Sequence, residues 1–323
     1  MSVFAYFGPS GTFTEMALDK FLDHPELRAA LPADALAGPI EKLAAPSPVA
    51  TIAAIRSGAA DFACVPIESS LEGSVPATMD ALVPDPATPC PRVQVFAEVD
   101  LDISFTIAAR PGTEAAAVTT LAAYPVAAAQ VRAVVGNLFP AAEFVTAASN
   151  AAAAQDVAAG RADAAVTTAA AATAAGLSVL ADAVSDASDA VTRFLILGRP
   201  APPPERSGRD RTSVILDLPN VPGSLMAAMN EFASRGIDLT RIQSRPRRDP
   251  AAGTTMAGQY WFFLDAVGHI DDAAVAEALQ ALYRRAEKIN FLGSWPISVA
   301  TGTPPPDHAA SVAWLAAIRR GGR

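Results

Sequence analysis

Histidine, cysteine and aromatic side chains are all scarce in this chain of 323 residues. His24, His269 and His308 stand in three unrelated contexts with no carboxylate or cysteine pattern beside them, which argues against a zinc site and against a histidine-based triad. Cys64 and Cys90 are too few for a disulfide framework and lack CxxC spacing, so a reduced, cytoplasmic setting is expected. Aromatics are 7% of a chain that is 51% hydrophobic; alanine supplies the excess, and alanine-rich helices should pack closely. A basic surplus is missing as well, since 24 Lys and Arg face 33 Asp and Glu for a net charge of -9. Nucleic acid and anionic membrane both need a basic face and are not expected partners. There is no Walker loop and no GxGxxG, which removes the usual nucleotide cradles. The uncharged residues 164–181 are mostly Ala and Thr, unlike a membrane span, and the start Met-Ser-Val-Phe-Ala-Tyr-Phe has no basic region of a secretory signal.

What is present is hydroxyls, glycine turns and a few arginines at the ends of apolar runs. Residues 186–199 organise the rest: a polar, acidic loop runs through Val191 into Thr192-Arg193-Phe194, and an apolar run with a glycine stop follows. A hydroxyl and a guanidinium thus sit together at a strand mouth, where α/β sheets bind their ligands. Upstream, the strand Val3 to Phe7 breaks at Gly8-Pro9-Ser10-Gly11, and Thr12 with Glu15 forms a capping-box pattern opening a helix to about Phe21. A helix over 48–57 stopped by Gly58, a buried strand over 61–67 and the hydroxyl-rich loop 68–75 come next, and a helix runs on to Leu82. Strands over 93–99 and 102–109, a helix over 126–138, a strand over 143–147, a helix opening at Ser149-Asn150, a strand over 163–167, an alanine-rich helix and a strand over 177–180 make a second α/β lobe.

The proline-rich, charged residues 199–208 cannot build sheet or helix interior and mark a domain boundary. Beyond it the pattern reads β-α-β-β-α-β, the ferredoxin-like order, with strands over 212–218, 237–244, 260–267 and 288–299 and helices over 222–234 and 271–286. A proline-containing tail with an apolar helix over 309–318 closes the chain; either it docks on a partner subunit or it is disordered.

Three stretches carry a resemblance. Residues 6–15 (Tyr-Phe-Gly-Pro-Ser-Gly-Thr-Phe-Thr-Glu), residues 65–75 (Val-Pro-Ile-Glu-Ser-Ser-Leu-Glu-Gly-Ser-Val) and Val191-Thr192-Arg193-Phe194 are similar to the signature regions of the prephenate dehydratase family. Val221 to Leu225 and Ile242 to Pro246 resemble the two ligand-binding motifs of that family's C-terminal ACT domain. The resemblance implies an α/β catalytic domain of two lobes, similar to type 2 periplasmic binding proteins, followed by a ferredoxin-like α+β regulatory domain. The layout it suggests is 1–199 catalytic (lobe one about 1–98 plus 186–199, lobe two about 99–185), 200–211 linker, 212–301 ACT domain and 302–323 tail.

It also implies a reaction without cofactor or metal, in which prephenate loses carbon dioxide and its ring hydroxyl to give phenylpyruvate. Thr192 would donate to the departing hydroxyl, and Arg193 would either clamp a carboxylate or hold the loop by an ion pair. Thr12, Ser70, Ser149 and Asn150 are the candidate substrate donors, with plain N-capping as the rival role, and Phe194 belongs to the site chiefly as packing beneath it. Phenylalanine would bind near Pro222, Gly223, Ser224 and Leu225, facing Gln243, Ser244, Arg245 and Pro246, between subunits of a homodimer or homotetramer. The family usually has Asn where this chain has Ser69, Asn near Asp189 and Glu in place of Gln243. Arogenate as substrate, or a non-catalytic amino-acid sensor, are the alternatives.

Overall fold

The computed structural model describes residues 1–187, 189–248 and 255–322. The chain divides into two compact units: Met1–Pro25, Gly38–Ala81 and Val99–Ile196 form the first, and Glu26–Ala37, Leu82–Glu98 and Leu197–Arg323 the second. No helix among the described residues is long and apolar enough to cross a membrane.

The chain opens with β1 (Ser2–Phe7), the glycine turn and α1 (Phe13–Asp23). The single turn α2 (Pro25–Arg28) leads to β2 (Ile40–Ala45), α3 (Pro48–Ser57), β3 (Phe62–Ser69), the two-residue β4 (Gly73–Ser74), α4 (Pro76–Leu82) and β5 (Gln94–Asp102). Ser47 caps α3 through the Ala50 N–H at 3.1 Å, and Gly58 closes it at φ 85°, so the sequence bounds hold to the residue. Parallel pairing sets Phe4 against Phe62 and Tyr6 against Cys64. Phe62 to Val65 are all buried, as a strand covered on both faces requires.

The chain then enters a second sheet with β6 (Phe105–Ala109) and β7 (Thr120–Ala123), followed by α5 (Pro125–Gln130), α6 (Arg132–Leu138), β8 (Glu143–Thr146), α7 (Asn150–Ala158), β9 (Ala164–Thr167), α8 (Ala169–Ala174) and β10 (Ser178–Val184). It returns to the first sheet as β11 (Val191–Gly198). The strand orders are β2-β1-β3-β11-β5, with β4 on β3, and β10-β6-β9-β7-β8. Two crossings, after β5 and before β11, therefore join two α/β lobes. The second lobe packs on small side chains: Ala151, Ala153 and Ala154 of α7 and Ala171 and Ala172 of α8 are buried, which lets helices sit close to the sheet.

Some expectations need correction. The helix read over 126–138 is two helices, broken at Val131, because the Asp186 carboxylate accepts the N–H groups of Ala133 and Val134 at 2.9 Å each and caps α6 from outside. β2 and β7 were not read as strands at all. β2 is a mostly exposed edge with no alternation to betray it, and β7 is four residues long.

Beyond the linker, β12 (Asp210–Asp217), α9 (Ser224–Ala233), β13 (Leu239–Arg248), β14 (Thr255–Val267), α10 (Ala273–Arg285) and β15 (Lys288–Pro296) form an antiparallel sheet, order β13-β14-β12-β15. Val214 and Leu216 of β12 join Leu264, Ala228, Phe232, Val275 and Leu282 in the core under the two helices. The first part of the tail touches its own chain: the Thr303 N–H donates to Asp238 at 2.9 Å, and Pro305 and Pro306 lie against Gly268 and Gly236. The final helix α11 (Ala309–Arg319) has no buried residue.

Candidate functional site

The glycine turn after β1 is built on positive-φ residues, Gly8 at 109° and Gly11 at 86°. A Cβ on Gly11 would meet the Ala171 Cβ at 2.8 Å, and the Thr168 hydroxyl donates to the Gly11 carbonyl at 2.6 Å, so the turn is seated directly on the start of α8. Here the capping box departs from expectation. Thr12 occupies the N-cap of α1 in extended conformation but makes no cap bond; its hydroxyl reaches only the Phe7 carbonyl, at 3.4 Å. Glu15 closes the turn instead, accepting from the Gly11 N–H at 2.6 Å and the Ser10 hydroxyl at 2.8 Å. Burial would push the Glu15 carboxyl up, but these two donors and Lys42 outweigh it and hold the group below the usual carboxylate range.

Thr192 and Arg193 are half-buried at the start of β11. Their placement is fixed by Ser70, just past β3: its N–H donates to the Val191 carbonyl at 2.8 Å, its hydroxyl accepts the Val191 N–H at 3.0 Å and approaches the Asp189 carbonyl at 3.4 Å. Ser188, in the same loop, lies outside the described residues. Ser69, which stands where the family has Asn, faces the Leu71 and Glu72 N–H groups at 3.3 and 3.4 Å and so supports the turn.

The Arg193 guanidinium pairs with Glu68 at 2.7 Å, and its side chain is 11% exposed. Of the two roles open to Arg193, the geometry contains the loop-holding ion pair. Sequence reading missed Glu68 as its partner, although an acidic residue closing the apolar run 62–67 was a signal. It also missed Asp100, on β5, whose carboxyl is pushed up by burial against the opposing pull of Arg193 and Lys20. Phe194 is 2% exposed and lies in the core beneath these residues.

In the second lobe Ser149 caps α7 through the Ala152 N–H at 3.0 Å. Asn150 accepts the Thr167 hydroxyl on its backbone carbonyl at 2.7 Å, and its side-chain Oδ1 is buried with no hydrogen-bond partner among the described residues. Thr168 caps α8 through the Ala171 N–H at 3.1 Å. The arrangement offers hydroxyls, amides and one neutralised arginine at strand ends. Such groups suit holding an anion and stabilising a leaving hydroxyl.

The effector candidates lie elsewhere. Gly223, at φ 83°, is the N-cap of α9, with Pro222 exposed before it and Ser224 and Leu225 half-buried after it. Gln243 to Pro246 lie on the edge strand β13, opposite Phe263 to Tyr260 of β14. Pro246 can sit there because an edge strand leaves its missing N–H unused. Next to them Arg247 pairs with Asp217 at 2.8 Å and covers the Trp261 ring at 5.1 Å.

Comparison with known proteins gives a consistent result. A family model described as prephenate dehydratase matches residues 4–202, and one described as ACT domain matches residues 212–282. A prephenate dehydratase of Mycolicibacterium vanbaalenii is 54% identical over 317 residues, 98% of each chain. The crystal structure of prephenate dehydratase in complex with L-Phe from Arthrobacter aurescens is similar with a TM-score of 0.83 and 34% identity, over 98% of this chain and 99% of that one. The structure of GqqA, described as a novel type of quorum quenching acylase, is similar with a TM-score of 0.75 and 27% identity, over 92% of this chain and 98% of that one.

Proposed function

Because this chain belongs to the prephenate dehydratase family, we propose that it converts prephenate into phenylpyruvate, carbon dioxide and water, as the catalytic region of a chain whose C-terminal ACT domain senses phenylalanine. One proton goes to the ring hydroxyl and the carbon–oxygen bond breaks with its electron pair on oxygen. The electrons of the ring-to-carboxylate bond move into the ring as carbon dioxide departs. Aromatisation drives the step, so the protein has chiefly to orient two carboxylates and assist the leaving oxygen.

Thr192 is the donor to that oxygen. The observation carrying this role is the Ser70–Val191 zipper, which pins the start of β11 and hence the threonine next to it. Arg193, held by Glu68, stands next to Thr192 on β11. Thr12, Ser149 and Asn150 are the polar groups for the substrate carboxylates, and the buried Asn150 Oδ1 suits a substrate hydroxyl. Residues 1–199 form the catalytic part and 212–301 the ACT domain.

The L-Phe bound in the Arthrobacter relative supports phenylalanine as effector; on this reading it binds at Pro222 to Leu225 and Gln243 to Pro246. These surfaces are open enough to be completed by a second copy, in a homodimer or homotetramer, and the setting is cytoplasmic. The assay is direct: supply prephenate, arogenate and, because the fold is shared with an acylase, an acyl homoserine lactone. Phenylpyruvate formed from prephenate alone is expected; turnover only of another substrate overturns the reading.

A further inference from the structure

β12 reads Asp-Arg-Thr-Ser-Val-Ile-Leu-Asp, and every one of its eight residues is buried. Its even-numbered side chains face the helices; Arg211 and Ser213, on the opposite face, ought to meet water in a domain with helices on one side only. They meet Glu98 and Asp265 instead. Glu98, on β5, is 1% exposed; it accepts the Trp295 indole N–H at 3.0 Å and lies 3.3 Å from Arg211. Arg211 is 3.6 Å from Asp265. Asp265 takes the Ser213 hydroxyl at 2.7 Å and the forked guanidinium of Arg241 at 2.8 and 3.1 Å. Arg211 also donates to Thr301 at 3.1 Å, and the Ser298 hydroxyl donates to the Glu98 carbonyl at 2.9 Å. Nearby, a Cβ on Gly293, at φ 150°, would stand 2.4 Å from the Val95 carbonyl, so β15 touches β5 backbone to backbone.

Two acids and two arginines, all nearly dry, form a set in which removing one member strands another. Such sets add little stability over apolar packing of the same volume. What the set does here is tie β5, β12, β13 and β14 to one another through charge. Arg241 lies two residues before Gln243 on β13, hence on the same face of that strand. At the other end Glu98 lies two residues before Asp100 on β5, in the field of Arg193.

We propose that the Arg241–Asp265–Arg211–Glu98 set couples phenylalanine at the ACT domain to the dehydratase, with Glu98 and Arg211 as positioning residues that shift β5 and, through it, Arg193. The inference rests on phenylalanine being the effector.

The test uses the full chain with E98Q, which keeps an acceptor for Trp295 and removes only the charge. Phenylpyruvate formation is titrated with phenylalanine, and phenylalanine binding is followed by calorimetry. The expected result is unchanged turnover without phenylalanine, retained heat of binding, and a half-inhibitory concentration raised about tenfold or more, the range of ordinary allosteric coupling. An E98Q chain inhibited at the wild-type concentration overturns the coupling and leaves the effector reading standing. A wild-type chain with neither heat nor inhibition overturns both. Should E98Q fail to fold by circular dichroism, the charge-free pair E98Q/R211M replaces it, and the same outcomes decide.

Discussion

In the first unit, the hydroxyl at the start of α1 is used differently from those at the starts of α7 and α8. In the second lobe Ser149 and Thr168 each bond their own helix, at 3.0 and 3.1 Å. In the first, Glu15 secures the turn and Thr12 is left without a cap bond. Thr192 resembles Thr12 in this respect, since the adjoining strand start is held by Ser70 and not by the threonine. A hydroxyl relieved of structural duty is available to a ligand, so the first lobe should carry the chemistry and the second should mainly supply a rigid wall.

The largest effect that would break this contrast concerns Thr192→Ala. Turnover of prephenate should fall about 10² to 10³-fold, the usual worth of one transition-state donor; near-normal turnover would remove Thr192 from the reaction. Thr12→Ala should raise KM roughly tenfold, as loss of one hydrogen bond to a charged ligand does, with a melting temperature equal to wild type. A marked loss of stability would show that the threonine caps after all.

Asp163 supplies a purely structural counterpart in the second lobe. Its carboxylate accepts the N–H and hydroxyl of Thr119 at 3.0 and 2.8 Å and those of Thr120 at 3.0 and 2.9 Å. These bonds, chiefly those from Thr119, hold its pKa down to about 2 from 3.8. A depressed pKa stabilises the fold above the unfolded value, so the contribution is complete above 3.8 and disappears as pH falls towards 2. Partial exposure limits it to about 1 to 2 kcal/mol. Urea midpoints of Asp163→Asn and wild type should converge on acidification through that window, and parallel curves would count against the assignment. Smallest of all, Ser149→Ala should cost about 1 kcal/mol of stability and raise KM less than Thr12→Ala does. The reverse order would collapse the distinction between the lobes.

Much of this architecture can be read from local pattern. β3 and β11 are apolar runs with clear stops, and α3 carries its Ser47 cap and Gly58 terminator in the chain itself. What escapes is whatever depends on a distant partner. α5 and α6 separate because of Asp186, more than fifty residues on. Arg193 finds Glu68 across 125 positions, and no spacing rule announces that. β12 shows the same limit differently: Asp210 to Ser213 are a polar run, yet all four are buried by partners far away in the chain. Thr12 and Glu15 read as a capping pair, yet Thr12 makes no cap bond and Glu15 accepts from Gly11 and Ser10, ahead of the helix.

The contact of Gly293 with Val95, beside the buried Glu98, governs what can be exchanged between relatives by recombination. A regulatory domain joined by nothing but a flexible tether could be swapped freely. This one must arrive with a glycine at the contact and with a cation and an indole to meet a carboxylate already in place. A transplant lacking any of them would leave a bare acid in a dry wall, so chimeras should succeed only when β5 travels with the domain it serves.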